Sequence, residues 1–318
     1  MKALRFFVFA ILFMVPFYLF FFKSDSGTST APIAGVPITV EEIRSYKEKF
    51  SDDWTNHEAK SISASIDEDV VVVFSWSPFP NVGRDIVVRG YELAWVDGSP
   101  IKDGILKDVT YEGVDLGSGY CYADGAYRMT TPTGELLDEG KWGGVFKNTA
   151  SGLQSIQESI VSNIDENNIL RPPSNADPHD RLQPINGLDL AFREHIEVHE
   201  KAWENQDIDA LASSYTKDAV RIIGTAPEAI RGREAIRESF AAGFGEDSRF
   251  KGTKLSALVL GYRILDPKHF TAYGVWKLSN SSGELIAHGQ WGNLYRREED
   301  GVVRFLMESA GAMTFDQN

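Results

Sequence analysis

The sequence predicts an α+β chain built from two tandem copies of one domain, preceded by a transmembrane helix. Three observations carry this. The segment Gly134–Lys147 (GELLDEGKWGGVFK) returns 149 residues later as Gly283–Arg296 (GELIAHGQWGNLYR). In the second copy, helical apolar periodicity comes first and long apolar-rich runs follow, the order of an α+β domain. An uncharged stretch of 17 residues, Phe6–Phe22, stands at the N-terminus.

Residues 1–23 form a membrane anchor or signal. At about 1.5 Å per residue, the apolar run is long enough for a thin bilayer, and Pro16 kinks it in a way membrane helices tolerate. Lys2 and Arg5 precede it, so the positive-inside rule keeps the N-terminus in the cytoplasm and the body outside, periplasmic or extracellular. The rival reading is a cleaved signal, which makes the protein secreted; Pro32, directly after the small-residue run Ser29-Thr30-Ala31, disfavours cleavage there. Residues 24–36 are a tether.

The first copy occupies residues 37–163 and the second 188–318. At the offset of 149, Trp54 aligns with Trp203, Asp69 with Asp218, and Gly125–Met129 with Gly274–Leu278. A further echo, Arg89–Glu92 against Arg231–Glu234, requires an offset of 142 and implies an insertion of some seven residues near 76–88 of the first copy. Residues 164–187 hold Pro172, Pro173, Pro178 and Pro184 among polar residues and read as a linker. Within the second copy the pattern gives a helix over Leu188–Gln206, with Phe192, Ile196, His199 and Trp203 on one face. A short helix Ile208–Tyr215, a strand Ala219–Gly224 and a third helix Arg233–Phe244 come next. Four antiparallel strands follow, over Leu255–Leu265, His269–Leu278, Glu284–Arg296 and Val302–Met313. In the third of these, Leu285, Gly289, Trp291 and Tyr295 share the parity that faces the helices.

Composition excludes several functions. The 318 residues carry a net charge of −14, which repels phosphate backbones and argues against nucleic acid. A single cysteine, Cys121, excludes a disulfide framework. Phosphate-loop, nucleophile-elbow and dinucleotide signatures are missing from the sequence. His195 and His199 stand four residues apart on a helix, but Ile196 occupies the place of the glutamate a zinc-protease motif needs. The pair therefore reads as one solvated and one half-buried histidine, with no metal and no cofactor.

The first helix, then NQDIDALASSYTKDAV (Asn205–Val220), IRGREAIRESF (Ile230–Phe240) and the closing DGVVRFLMESA resemble the nuclear transport factor 2-like superfamily. The likeness is to SnoaL-type polyketide-cyclase-like and ketosteroid-isomerase-like domains. It covers the second copy well and the first chiefly through the repeat. The resemblance implies a cone in each copy: a curved antiparallel sheet wrapped around about three helices, with a pocket at the open end. Fold alone does not assign activity. Ketosteroid isomerases use an aspartate base and an oxyanion hole of tyrosine and protonated aspartate. The resemblance puts Ile223 and Phe74 at the base position and His199 and Phe50 at the oxyanion tyrosine, so that chemistry is disfavoured.

Parity and the resemblance together bring His199, Trp203, Tyr215, Trp276, Trp291 and Glu308 towards one pocket in the second copy. The expected role is binding of a small apolar ligand or a protein partner without catalysis, with no assigned catalytic residue. The alternative is an enzyme of cyclase, isomerase or hydrolase type, with His199 or Glu308 as acid or base. The resemblance also implies that the two copies pair within the chain through their outer sheet faces, where Val145 and Leu294 are the apolar contacts and Glu139, Lys141, Lys147, His288, Gln290 and Arg296 the polar ones.

Overall fold

A computed structural model describes residues 31–312, except 76, 78, 164–181, 247 and 249. The apolar run at 6–22, most of the tether and most of the linker lie outside the described residues. Among the described residues no helix is long and apolar enough to cross a membrane.

The chain divides into two compact units, and among the described residues each has three helices and its own six-stranded sheet. The first unit contains α1 (Val40–Thr55), α2 (Ala59–Ser65), β1 (Ile66–Phe74), β2 (Asn81–Val82), α3 (Arg84–Ala94), β3 (Ile105–Gly117), β4 (Tyr120–Thr130), β5 (Leu136–Thr149) and β6 (Gly152–Ser162). The second repeats the order with α4 (Leu190–Glu204), α5 (Ile208–Ser213), β7 (Tyr215–Ile223), β8 (Ile230–Arg231), α6 (Arg233–Gly243), β9 (Lys254–Ile264), β10 (His269–Ser279), β11 (Leu285–Arg297) and β12 (Val303–Ala312). Strand order is β2-β1-β6-β5-β4-β3 in one sheet and β8-β7-β12-β11-β10-β9 in the other.

Local chemistry sets the helix starts. Thr39 and Glu42 form a reciprocal capping box on α1. Asp189 caps α4 by accepting from the Phe192 amide, and Asp207 caps α5 by accepting from Ala210. Helices α3 and α6 begin after Gly83 and Gly232, whose φ angles of 95° and 80° suit glycine. The next residue, Arg84 or Arg233, reaches the carbonyl of Ile66 or Tyr215 from its Nε.

These equivalences correct the sequence alignment. Gly83 matches Gly232 and Arg84 matches Arg233, so the offset of 149 runs unbroken through this region. No seven-residue insertion exists there. The Arg-Gly echo at an offset of 142 compares a mid-helix segment with a helix start.

Two further expectations change. The sheets are mixed rather than antiparallel: β12 lies parallel to β7, with Glu308 opposite Arg221. The last strand of the antiparallel run returns beside the first strand of its unit, a pairing too distant in sequence for periodicity to reveal. Strand β7 also starts at Tyr215, where the short helix was expected to end. On α4 the buried stripe is Phe192, His195, His199 and Ala202, with Ile196 and Trp203 half-buried on its flank. Both histidines are therefore buried, not one solvated and one half-buried. The stripe is rotated from the predicted face because His195 packs on Phe305, ring centroids 4.5 Å apart.

The core of the second unit joins Phe192, Tyr215, Phe240, Trp291, Tyr295 and Phe305 between the helices and one sheet face. Glycines across from the tryptophans make this packing possible. A Cβ on Gly274 would stand 2.7 Å from Cζ2 of Trp291, its register partner on β11. The first unit repeats the arrangement with Gly125 and Trp142, again at 2.7 Å.

Candidate functional site

The second unit encloses a cavity of about 200 Å³. Its walls are mainly apolar side chains from α4, α6 with the turn after it, and five strands, among them Ile196, Phe240, Phe244, Leu255, Leu278 and Phe305. Trp203, Trp276 and Trp291 also line it. Each indole N–H is satisfied within the protein. Trp203 donates to Thr253 Oγ1 at 3.1 Å, Trp276 to the Gln290 and Gly311 carbonyls at 3.2 Å, and Trp291 to the Val275 carbonyl at 3.1 Å. The tryptophans thus offer the cavity ring surface and no free donor.

Glu200 on α4 lines the cavity and accepts from the Ala257 amide at 2.6 Å, and the other charged groups form one cluster. The register of β7 against β12 sets Arg221 opposite Glu308. Arg221 Nε donates to Glu308 Oε2 at 2.6 Å, and the Tyr215 hydroxyl donates to the same oxygen at 2.6 Å. Arg221 Nη1 also donates to Ser239 Oγ on α6, at 3.2 Å, and the guanidinium lies 4.2 Å from the Phe240 ring centroid. Burial alone disfavours the Arg221 charge, but the Glu308 carboxylate outweighs it and the net shift is upward. Burial, and then the Glu308 charge, hold the Tyr215 hydroxyl far above its ordinary range, so it remains a neutral donor.

His199 adds a neutral imidazole to the wall. Burial, reinforced by the Arg221 charge, pushes its pKa down to about 3. Its Nδ1 is buried without a hydrogen-bond partner. His195 lies behind it, rings 6.3 Å apart, and is likewise pushed down to about 3, first by burial and then by His199. Among the described residues no group of three or more histidine, cysteine, aspartate or glutamate side chains is placed to hold a metal.

Of the six residues singled out from the sequence, His199, Trp203, Trp276, Trp291 and Glu308 line the cavity. Tyr215 does not; it stands behind Glu308 and orients it. Sequence reasoning missed Arg221, Ser239 and Asn293. Arg221 carried a usable signal, since it shares strand parity with Ile223, the residue already assigned to an inward position.

No family model and no curated protein matches this chain. Solved structures do. They include an NTF-2-like protein of unknown function from Shewanella oneidensis, with 17% identity over 38% of this chain and 96% of that one and a TM-score of 0.32. A ketosteroid isomerase-like protein from Erwinia carotovora matches with 15% identity over 42% and 100%, TM-score 0.33. A domain of unknown function with a cystatin-like fold from Nostoc punctiforme matches with 17% identity over 38% and 74%, TM-score 0.34. These likenesses say nothing of a ligand or an activity here.

The first unit builds its centre differently. The QES of β6 repeats the MES of β12, so Glu158 stands where Glu308 stands, while Val72 replaces Arg221. The missing cation arrives from a helix. Lys47 on α1 places Nζ 3.4 Å from Glu158 Oε2 and 3.6 Å from Asp108 Oδ2, and 4.4 Å from the Trp142 ring centroid. Lys47 is 2% exposed. Burial pulls its pKa down, yet the two carboxylates prevail and the net shift is upward. Burial keeps Asp108 raised despite Lys47. Phe50 takes the position of His199.

Proposed function

We propose that the second unit binds a small, largely apolar molecule in its cavity and does so without chemistry. The observation that supports this most is the lining: three tryptophan ring surfaces with every indole N–H already satisfied, beside one polar cluster. Catalysis is disfavoured by the residues in reach. Ile223 at the cavity wall accepts no proton, and an imidazole with its pKa near 3 is a weak base at neutral pH. Glu308 is engaged by Tyr215 and Arg221. The enzyme reading rests on one observation, that His199 and Glu308 line the same cavity. Turnover of any ligand found to bind would establish it.

The proposal extends to location. Residues 6–22 hold the chain to a membrane, and Lys2 and Arg5 set the body outside the cytoplasm. A reporter fused after Asn318 is then active only in an exported compartment; activity in the cytoplasm refutes this placement.

Binding is tested by titrating the purified protein with β-methylnaphthalene and following tryptophan fluorescence, since three tryptophans face the cavity. Saturable quenching that disappears in Ala257→Trp, which fills the cavity from β9, supports the reading. Quenching that persists unchanged in that variant overturns it.

A further inference from the structure

The polar cluster narrows the chemistry of the molecule that fits. This inference rests on the ligand-binding reading above and deepens it. Both hydrogen bonds that Glu308 receives fall on Oε2, so among the described residues Oε1 accepts from no protein donor. Arg221 engages Glu308, Ser239 and Tyr215, which leaves part of its five N–H donors free. Both side chains line the cavity and both are buried, at 9% and 8% exposure. A donor and an acceptor therefore stand side by side on the cavity wall with capacity unused. A ligand that fills the cavity shuts water away from both, so an edge that satisfies both is favoured over one that leaves them unmatched.

Charge then discriminates. Arg221 is already neutralised by Glu308 at 2.6 Å. A carboxylate ligand would bring a further anion beside Glu308 and Glu200, the two carboxylates of the wall among the described residues, with Arg221 its one cation. That leaves a buried charge without compensation, the arrangement proteins tolerate least. An ammonium at the same place would stand against the Arg221 guanidinium, while Glu200 is held on the neighbouring wall by the Ala257 amide at 2.6 Å. We propose that the ligand is uncharged, with an adjacent acceptor and donor on the edge of an apolar ring system, as in a carboxamide or lactam. Its acceptor takes an N–H from Arg221 and its donor bonds Glu308 Oε1. The neutral His199 imidazole on the neighbouring wall adds no charge to this balance.

Three probes of one shape test it: β-methylnaphthalene, β-naphthamide and β-naphthoate, each titrated against the full-length protein near pH 7, where only the naphthoate is charged. The expected result is that the amide binds about tenfold or more tighter than the carboxylate. In Glu308→Gln the guanidinium loses its counter-charge, and the order reverses in favour of naphthoate. Carboxylate binding as tight as amide binding in the unmodified protein overturns the proposal; if β-methylnaphthalene still binds, the cavity remains a ligand site. Binding by none of the three removes the ligand-site reading and the proposal with it. An unreversed preference in a folded Glu308→Gln protein also overturns it, because the selectivity then has another source. Should that variant not fold, the amide-to-carboxylate ratio of the unmodified protein decides alone.

Discussion

Replacing Lys47 by methionine tests how the first unit came to dispense with the strand arginine. The side chain is of similar length and apolar, so the substitution removes charge with little change in shape. Lys47 lies 3.4 and 3.6 Å from two buried carboxylates. With an effective dielectric constant of about 20, each attraction is roughly 5 kcal/mol before desolvation. Most of that is offset by the cost of burying the ammonium. What the variant feels is the stranding of Asp108 and Glu158, and breaking a buried pair this way costs about 3–5 kcal/mol. Glu158→Gln behaves differently. It leaves Lys47 and Asp108 balanced one to one, and it removes charge from a carboxylate whose Oε1 already lacks a partner. The expected loss is about 1 kcal/mol or less. The pH dependence supplies a second check. Burial already raises Asp108 and Lys47 opposes it, so without Lys47 Asp108 holds its proton to higher pH in the folded state than in the unfolded one. Stability is then lost as pH rises through that raised folded value, and the deficit shrinks as pH falls towards about 4. Urea unfolding midpoints, compared at unchanged slope, measure all of this. A Lys47→Met loss below about 1 kcal/mol, or a Glu158→Gln loss equal to it, refutes the reasoning.

Three further outcomes are expected. His199→Phe, the residue of the first copy, removes a group whose folded pKa is about 3 against 6.5 ordinarily; because the unfolded chain binds the extra proton, stability falls as pH drops below about 6.5. The variant should lose up to about 1.4 kcal/mol per pH unit of that acid sensitivity, read from unfolding midpoints between about pH 6 and 4. Gly274→Ala sets a Cβ against the Leu258 carbonyl oxygen and 2.7 Å from Trp291, so a loss of about 1–3 kcal/mol is expected together with altered tryptophan fluorescence. Thr39→Ala removes one half of the capping box of α1 and should lower the thermal midpoint by an amount equivalent to about 1 kcal/mol.

Much of this architecture was legible because it is local or repeated. The order of helices and strands, the placing of Phe192 and His199 on one helix face, and the return of Gly125 and Trp142 as Gly274 and Trp291 follow from spacing. The parallel union of β7 with β12 does not, since it joins residues nearly ninety apart with no mark in either strand. That gap hid the centre of the site. Arg221 alone reads as a strand residue of polar character, and only its position opposite Glu308 makes it a buried counter-ion. The same limit concealed Lys47, which reads as the polar side of an amphipathic helix until Asp108 and Glu158 are seen beside it. Alignment by short identities also misled: Arg89-Gly90 resembles Arg231-Gly232, yet the positive φ angles place Gly83 opposite Gly232.

The central claim is that the second unit's cavity is a binding site, and a crystal structure of the protein soaked with β-naphthamide tests it most directly. The account predicts the bicyclic ring lying against Trp203, Trp276 and Trp291, with its amide edge at Arg221 and Glu308 Oε1. Amide density at the surface, with the cavity closed by inward-turned Phe240 or Phe244, contradicts it.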